Sequence, residues 1–303
     1  MRLLLIANAR ATSVTQAKIR FIRRALASRA TVELVQTRRQ GHATELAARA
    51  AADGVDAVAI LGGDGTVNEA ANGLARGPVP LGIIPGGGTN VLARSLGLPM
   101  DTDRAAGHLL ARLGGPARPI ALGHALGRFF TFSAGVGLDG EIVRRVERRQ
   151  ALKKAGGQIY FVWSTVRVGL MTYDLRSPRV RLRWGPDLER EREGLAFAIC
   201  QNARPFTYLL GRPVDVCPRA DVEGGLDAFA AGNLGRLRLV KLAIQALSTR
   251  RHVRDPHTQS AHDQDRIEVS CTEPLPVQMD GEFVGMHDRV LLSSAPGALR
   301  VLA

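Results

Sequence analysis

Two glycine-rich turns, each directly after an apolar run, carry residue types that suit phosphate binding. GGDGT occupies 62–66 and PGGGTN occupies 85–90. Glycine lets backbone N–H groups approach an anion closely, and a helix that begins after the turn adds its positive end. The spacing matches neither the dinucleotide fingerprint nor the P-loop. Side by side, the two turns predict a polyphosphate that is held from two directions.

Asp64 stands among the glycines of the first turn. A carboxylate repels a phosphate unless a cation lies between them, so we expect Mg²⁺ here, or a contact from Asp64 to a sugar or hydroxyl. The alternative is a tight strand-to-helix turn that Asp64 merely caps. At the second turn, Thr89 offers a hydroxyl and Asn90 offers an amide.

Short apolar runs alternate with helical patterns in the first part of the chain, and these elements must position the turns. The expected strands are Leu3–Ala7, Thr31–Val35, Val55–Leu61 and Leu81–Ile84. The expected helices are 15–29, 43–52, 67–75 and 90–96. This order predicts a doubly wound, mostly parallel α/β sheet that binds its ligand at the carboxyl ends of the strands.

The pattern changes after GGPARP, at 114–119, to alternating runs separated by turn residues. The runs are 130–133, 180–184, 195–200, 266–271, 275–279 and 290–293. They predict an antiparallel β domain, and Asp280-Gly281 is its clearest hairpin signal. We expect domains at 1–118 and 119–294, with 295–303 as a candidate return to the first domain.

Composition limits the function classes. The chain has 303 residues, a net charge of +13 and a sequence pI near 10.9, which favour anionic partners. No apolar run approaches the roughly 20 residues of a membrane span, so we expect a cytoplasmic protein. Only 5% of the residues are aromatic and no nucleic-acid motif occurs, which argues against nucleic-acid binding. The three isolated cysteines are expected to be buried and unbridged.

The chain resembles the diacylglycerol kinase catalytic family of bacterial lipid kinases, which is related to sphingosine and ceramide kinases. Four motifs carry a resemblance over nearly the whole length: GGDGTVNE (62–69), PGGGTNVLARSLGLP (85–99), AGVGLDGEIV (134–143) and QMDGE (278–282). The resemblance implies ATP-dependent phosphorylation of a lipid hydroxyl, in a cleft between an α/β nucleotide domain and a β-sandwich-like lipid domain. GGDG also occurs in NAD kinases and phosphofructokinases, but PGGGTNVLAR fits lipid kinases better.

The resemblance also implies a set of nucleotide-binding residues in the two turns and at two further strand ends. Asn8 matches an early family Asn, although Ala9 replaces the usual proline, and Gly88 stands where the family has Thr. The implied set comprises Asn8, Thr37, Gly62, Gly63, Asp64, Gly65, Thr66, Asn68, Glu69, Gly86, Gly87, Gly88, Thr89 and Asn90.

Catalysis is implied for three acidic residues. Glu282 would accept the proton of the lipid hydroxyl, Asp280 would support it or the metal, and Asp64 would lie near the metal and phosphates. The sequence leaves these roles exchangeable, and a plain hairpin turn is the alternative for Asp280. The three residues together argue against a non-catalytic nucleotide- or lipid-binding regulator.

A second Mg²⁺ site is implied in the loop ADVEGGLDAF, at 220–229. Asp221 and the backbone carbonyl of Leu226 match the family's loop, but Gly224 replaces its second aspartate. Glu223 is the expected substitute ligand.

The segment EIVRRVERRQALKK, at 141–154, combines basic residues with apolar residues at helical spacing. Aromatic and apolar residues follow at 159–163. A basic amphipathic helix of this kind suits an anionic membrane surface, and the alternative is a surface helix that packs by one face. Together with this segment, the resemblance to lipid kinases implies a peripheral membrane enzyme that acts on diacylglycerol, with a sphingoid-base kinase as the rival. A homodimer is left open.

Overall fold

The computed structural model describes residues 1–148, 167–209 and 211–303. The chain divides into two compact units. The first unit comprises Met1–Leu122 with Ala295–Ala303, and the second comprises Gly123–Ser294. Each unit is built around buried hydrophobic clusters of its own.

The first unit is an α/β structure in which parallel strands alternate with helices. Its strands are β1 (Arg2–Ala7), β2 (Thr31–Gln36), β3 (Ala57–Gly62) and β4 (Leu81–Pro85). Its helices are α1 (Gln16–Leu26), α2 (His42–Ala52), α3 (Asp64–Leu74), α4 (Val91–Ser95) and α5 (Thr102–Arg112). The strand order is β2-β1-β3-β4, with all pairs parallel, which confirms the predicted fold of this part of the chain.

The end of the chain adds a further parallel strand to this sheet. Val301 pairs with Leu81, and the Leu302 amide donates to the Leu81 carbonyl at 2.9 Å. Strand β3 is buried along its whole length, as expected for a central strand that is covered on both faces. Because α3 begins at Asp64 instead of about residue 67, the first glycine turn is shorter than the sequence predicted.

The second unit is mainly antiparallel. Its strands are β5 (Arg118–Ala125, which begins in the first unit), β6 (Arg128–Phe130), β7 (Ser133–Val136), β8 (Val180–Trp184), β9 (Arg190–Leu195), β10 (Phe197–Gln201), β11 (Thr207–Leu209), β12 (Arg212–Val214), β13 (Leu226–Ala231), β14 (Thr258–Gln264), β15 (Arg266–Met279) and β16 (Glu282–Val301). Its helices are α6 (Leu138–Arg148) and α7 (Arg236–Leu247), with a π-helical turn at Val168–Thr172 and a 3₁₀ turn at Arg251–Arg254. The path β14-β13-β10-β7-β15-β16 runs through its sheet, which confirms the predicted β-rich second part.

Several of the expected strands of the second unit differ in the structure. The run 195–200 is divided between β9, which ends at Leu195, and β10, which begins at Phe197. The run 130–133 is divided between β6 and β7, because the backbone amides between these strands donate to a side chain instead of to a neighbouring strand. The runs 266–271 and 275–279 form the single strand β15, with a change of register between Ser270 and Leu275.

Helix α6 covers the described part of the basic segment 141–154, and it corrects the membrane interpretation of that segment. Its apolar side chains are buried in the second unit: Ile142, Val143 and Val146. Arg144 and Arg145 both form ion pairs with Glu141. The apolar face that we expected on a bilayer therefore packs inward. The remainder of the segment and residues 159–163 lie outside the described residues.

No helix in the described parts of the chain is long and apolar enough to cross a bilayer. The three cysteines are free thiols, as expected, with Cys200 and Cys217 buried and Cys271 half-buried. Burial raises the pKa of Cys200 to about 12 and that of Cys271 to about 11. They therefore act as small apolar side chains.

Candidate active site

Four parallel strands of the first unit end at one edge of the sheet, where the predicted nucleotide-binding residues gather. Asn8 follows β1, Thr37 follows β2, Gly63 follows β3 and Gly86 follows β4. Backbone hydrogen bonds join these strand ends, from the Asn8 amide to Leu61 O and from the Gly86 amide to Gly62 O, at 2.9 and 2.8 Å. The structure thus brings together the residues that the sequence assigned to a polyphosphate.

The two glycine turns pack directly against each other, backbone to backbone. A Cβ on Gly87 would lie 2.7 Å from Gly63 Cα, and a Cβ on Gly63 would lie 3.2 Å from Gly87 Cα. A Cβ on Gly86 would lie 3.3 Å from the Cα of Gly62. Glycine is therefore required here for the contact between the turns, beyond any approach of the backbone to an anion.

The Gly87→Ala substitution is expected to destabilise the first unit by roughly 2–3 kcal/mol, because the added methyl group overlaps the facing turn. Gly88→Ala is the matched control, since nothing lies within 4 Å of a Cβ at this exposed position. Urea unfolding of both variants measures the difference. Equal stability of the two variants would contradict the packing of the turns.

Asp64 links the first turn to the second. Its Oδ1 accepts a hydrogen bond of 2.6 Å from the Val91 amide, at the amino terminus of α4. Asn90 closes the second turn, because its side-chain amide exchanges two hydrogen bonds with the backbone of Gly87. The amides of Gly87 and Val91 are thus bonded within the protein, and nucleotide binding by the second turn stays a prediction.

Helix α3 presents its amino terminus at this edge without a side-chain cap. Its N-cap residue is Gly63, which has no side chain to accept from the first amides of the helix. The first amides of an α-helix have no carbonyl partner within the helix, and the helix dipole favours an anion at this end. Nearby, Thr66 Oγ1 accepts a hydrogen bond of 2.9 Å from Asn8 Nδ2.

Two polar residues of α3 have structural partners. Glu69 accepts hydrogen bonds from the amides of Gly41 and Ala43, at 2.8 and 3.0 Å, so its carboxylate caps the amino terminus of α2. Asn68 is buried and accepts from the side chain of Asn72. The side chains of Glu69 and Asn68 therefore form hydrogen bonds within the protein.

Ser13, which no sequence motif marked as a site residue, joins the loop after β1 to the second turn. Its amide and its Oγ both donate to the carbonyl of Gly86, at 3.1 and 2.9 Å. The adjacent Val14 covers the same glycine, since a Cβ on Gly86 would lie 2.5 Å from Val14 Cγ2. No local motif marks a serine for such a contact 73 residues away.

In the second unit, Asp280 and Gly281 form the predicted two-residue hairpin turn. Their φ angles are 49° and 79°, and the flanking Met279 and Glu282 pair with each other. This is the backbone geometry that Asp-Gly favours between two antiparallel strands. The turn therefore holds Glu282 at the first position of β16.

The Asp280 side chain fastens this hairpin to the segment between β6 and β7. Its carboxylate accepts four hydrogen bonds of 2.6–3.0 Å: from the amides of Thr131, Phe132 and Ser133 and from Thr131 Oγ1. Burial raises the pKa of Asp280, and these hydrogen bonds offset part of the rise. Both oxygens are thus occupied by protein donors, which gives Asp280 a positioning role.

Glu282 extends from the hairpin as a partly exposed carboxylate. Its Oε2 accepts a hydrogen bond of 3.1 Å from Arg128 Nη2, and the two side chains are 25% and 31% exposed. The amide of the next residue, Phe283, donates to Glu147 Oε1 of α6 at 3.2 Å. The ion pair directs the Glu282 carboxylate, and Arg128 is a further residue that the sequence analysis missed.

A buried polar chain lies beneath the hairpin. Gln278 Nε2 donates to Asp139 Oδ2, and Gln278 Oε1 accepts from the Gly281 amide at 2.8 Å. Gly135 makes room for this carboxylate, since a Cβ there would lie 2.1 Å from Asp139 Oδ2. The motif AGVGLDGEIV therefore supports the turn that carries Glu282.

Burial raises the pKa of Asp139 from its ordinary value of 3.8 to about 7. Folding therefore retains a proton that the unfolded chain loses above about pH 4, and stability falls as pH rises from about 4 to 7. In Asp139→Asn this carboxyl group no longer titrates, so its contribution to the fall in stability is removed. Between pH 5 and pH 8, the free energy of unfolding of the variant should therefore rise by on the order of 3 kcal/mol relative to that of the wild type. Urea unfolding at both pH values measures it, with Asp187→Asn in an exposed turn as control. If the free energy of unfolding of Asp139→Asn depends on pH as that of the wild type does, the pKa of Asp139 is not raised in the folded protein.

The loop predicted to hold a second metal ion has internal partners. Asp221 Oδ1 accepts from the Glu223 amide at 2.9 Å, and Leu226 is buried at the start of β13. A Cβ on Gly224 would lie 3.4 Å from the Oδ1 of Asp263, and this oxygen accepts a hydrogen bond of 2.7 Å from the Gly225 amide. The described residues contain no group of three or more His, Cys, Asp or Glu side chains placed to hold a metal. This metal site stays a prediction.

Family models match both units. The model of the diacylglycerol kinase catalytic domain matches residues 2–125, and that of the YegS C-terminal NAD kinase beta sandwich-like domain matches residues 133–303. The chain also matches a crystal structure described as a diacylglycerol kinase from Bacillus anthracis str. Sterne. The TM-score is 0.72 and the sequence identity is 21%, with 99% of this chain and 96% of that chain covered. This likeness confirms the fold.

Similar curated proteins include a "Diacylglycerol kinase" of Bacillus subtilis, 30% identical over 81% of this chain and 77% of that protein. The "Probable lipid kinase YegS-like" of Pseudomonas aeruginosa PAO1 is 31% identical over 86% of this chain and 81% of that protein. The "Diacylglycerol kinase" of Mycobacterium tuberculosis H37Rv is 30% identical over the same shares of the two chains. The chain therefore belongs to the family of diacylglycerol kinases and YegS-like lipid kinases.

Proposed function

We propose that this protein transfers the γ-phosphate of ATP to the hydroxyl group of a membrane lipid, with diacylglycerol as the first candidate acceptor. The observation that carries the proposal is the pair of interlocked glycine turns at the uncapped amino terminus of α3. Such a helix end suits a phosphate chain, because its amides and dipole both favour negative charge.

The nucleotide is assigned to the first unit. The phosphates would lie at Gly63, Asp64 and Gly65, which follow β3, and Asn8 and Thr37 would line the same edge of the sheet. Asp64 supplies the carboxylate at this turn, with its Oδ1 held on the Val91 amide. Carboxylate oxygen suits Mg²⁺, which neutralises the charge that develops on the phosphates during transfer.

The proton acceptor is assigned to Glu282. The lipid hydroxyl oxygen attacks the γ-phosphorus, the bond to the β–γ bridging oxygen breaks, ADP leaves, and the hydroxyl proton passes to the Glu282 carboxylate. Arg128 directs this carboxylate, and the hydrogen bonds that Asp280 accepts keep the turn that carries Glu282 in place. Asp280 therefore acts through Glu282 instead of contacting the phosphate.

The acceptor is proposed from the names of relatives. Two of the relatives reported above are called diacylglycerol kinases, which favours phosphatidic acid as the product. A third is called a YegS-like lipid kinase, so another hydroxyl lipid is the second candidate. Acceptor choice depends on the lipid site and not on the fold. Phospholipid synthesis at the cytoplasmic face of the membrane is the proposed setting.

A transfer assay with labelled Mg-ATP tests the function against diacylglycerol, a sphingoid base and other hydroxyl lipids in mixed micelles. We expect labelled lipid with at least one acceptor, and the highest kcat/KM with diacylglycerol. ATP binding without transfer to any acceptor would overturn the kinase proposal and favour a regulator. A higher kcat/KM for the sphingoid base would overturn the choice of acceptor alone.

A further inference from the structure

Helix α7 turns an apolar face to solvent. Leu237 is 88% exposed, Ile244 is 58% exposed and Val240 is 39% exposed. At 100° per residue these side chains lie within one sector of the helix. The opposite side of the helix, with Leu242 and Ala246, is buried in the core of the second unit.

The neighbouring π-helical turn carries a further exposed apolar side chain. A Cβ on Gly169 would lie 3.1 Å from Leu239 Cδ2, which places Val168–Thr172 beside α7. Met171 in this turn is 73% exposed. Large exposed apolar side chains that share one face of a helix are uncommon on a soluble protein, and such a face marks a surface that meets a partner or a membrane.

Basic residues border the patch. Residues 233–254 contain six Lys and Arg residues and no Asp or Glu. Arg236, Lys241, Arg251 and Arg254 are exposed around α7 and the 3₁₀ turn. Asp255, which follows this stretch, is buried and lies 3.6 Å from the Lys241 ammonium group. Apolar side chains within a basic border match a bilayer whose headgroups are anionic.

We propose that the α7 face, defined as Leu237, Val240 and Ile244 with the basic residues around them, docks the protein on an anionic phospholipid bilayer. The proposal rests on the proposed function in one respect, since a lipid kinase must reach an acceptor that resides in the membrane. The charge selects a bilayer over an apolar protein partner, because +13 on the chain and a basic border both attract anionic headgroups.

Vesicle sedimentation tests this surface with the full chain. We expect binding to vesicles of equimolar phosphatidylglycerol and phosphatidylcholine, weaker binding to phosphatidylcholine alone, and a decrease as salt rises. Leu237→Ser is expected to lower the partition coefficient about tenfold, by removing one large apolar side chain from the interface. Lys241→Gln is expected to weaken binding to the anionic vesicles only.

Leu291→Ser is the matched control, because Leu291 is 49% exposed on β16 of the same unit. It should bind vesicles as the wild type does. Equal binding by Leu237→Ser and Leu291→Ser would overturn the proposal. So would a lowered melting temperature in Leu237→Ser, which would show that the face is packed, or a dimer that Leu237→Ser dissociates while vesicle binding persists.

Turnover of a soluble short-chain diacylglycerol separates this surface from the proposed function. Leu237→Ser should retain that turnover while it loses turnover of diacylglycerol in vesicles. Vesicle binding that depends on Leu237 without phosphorylation of any lipid would support the surface and reject the kinase. Wild-type turnover of vesicle-bound diacylglycerol by Leu237→Ser would reject the surface and leave the kinase intact.

Discussion

Glu282→Gln is expected to lower kcat by about 10²–10⁴-fold, the contribution of a positioned general base, while the affinity for Mg-ATP changes little. Glutamine keeps the size of the side chain and can still accept a hydrogen bond from Arg128, but its amide cannot take up the hydroxyl proton. Steady-state kinetics on the acceptor that the wild type phosphorylates give kcat, and isothermal titration gives the nucleotide affinity.

The second unit offers a matched control for this substitution. Glu273 on β15 forms an ion pair of 2.9 Å with Arg179, much as Glu282 does with Arg128. Glu273→Gln should leave kcat within about twofold of the wild type, since exposed ion pairs contribute little to stability. If Glu282→Gln keeps wild-type kcat, or if both variants lose activity equally, Glu282 is not the base.

Asp280→Asn is expected to destabilise the protein by roughly 3–5 kcal/mol, because one carboxylate oxygen that accepts from buried donors becomes an amide N–H₂ group. Whichever way the new amide is oriented, donors of the 131–133 segment lose an acceptor and face another donor. Urea unfolding measures the loss. Asp288→Asn, exposed on β16, is the control and should change stability by less than about 0.5 kcal/mol.

A second measurement decides between the two roles of Asp280. If Asp280 positions the hairpin, Thr131→Val, which removes one of the four hydrogen bonds, should lower stability in the same direction by about 1 kcal/mol. If Asp280 instead serves the reaction directly, Asp280→Asn would keep wild-type stability and lose kcat as severely as Glu282→Gln. That second result would reject the positioning role and restore the acidic pair that the sequence suggested.

The glycine turns show which features of the candidate site can be predicted from local sequence. Their position after β3 and β4 followed from apolar runs and helix starts, which are short-range signals. The packing contact that requires glycine in these turns could not be predicted in the same way. The contact between Gly63 and Gly87 depends on how two turns 24 positions apart pack. The role of Asp64 also depends on a long-range contact. The sequence allowed a bound cation, a contact to a sugar or hydroxyl, or a helix cap, and in the structure its Oδ1 accepts a hydrogen bond from the Val91 amide.

In the second unit, the backbone turn could be predicted from local sequence, but the side-chain contacts that hold it could not. The Asp280–Gly281 turn was predictable because residue type alone favours positive φ at both positions. The partners of the Asp280 carboxylate lie 147–149 residues earlier in the chain, and no local pattern points to them. The basic segment was interpreted by its periodicity, which is the same for a face on a bilayer and a face in a core. The described part packs inward.

The central claim is that the chain phosphorylates a lipid at the expense of ATP. The most direct test quantifies ADP and phosphatidic acid together, with purified protein, Mg-ATP and diacylglycerol in mixed micelles. We expect equal amounts of the two products, both dependent on diacylglycerol and both lost in Glu282→Gln. ADP released without phosphorylated lipid, or bound ATP that is never consumed, would contradict it.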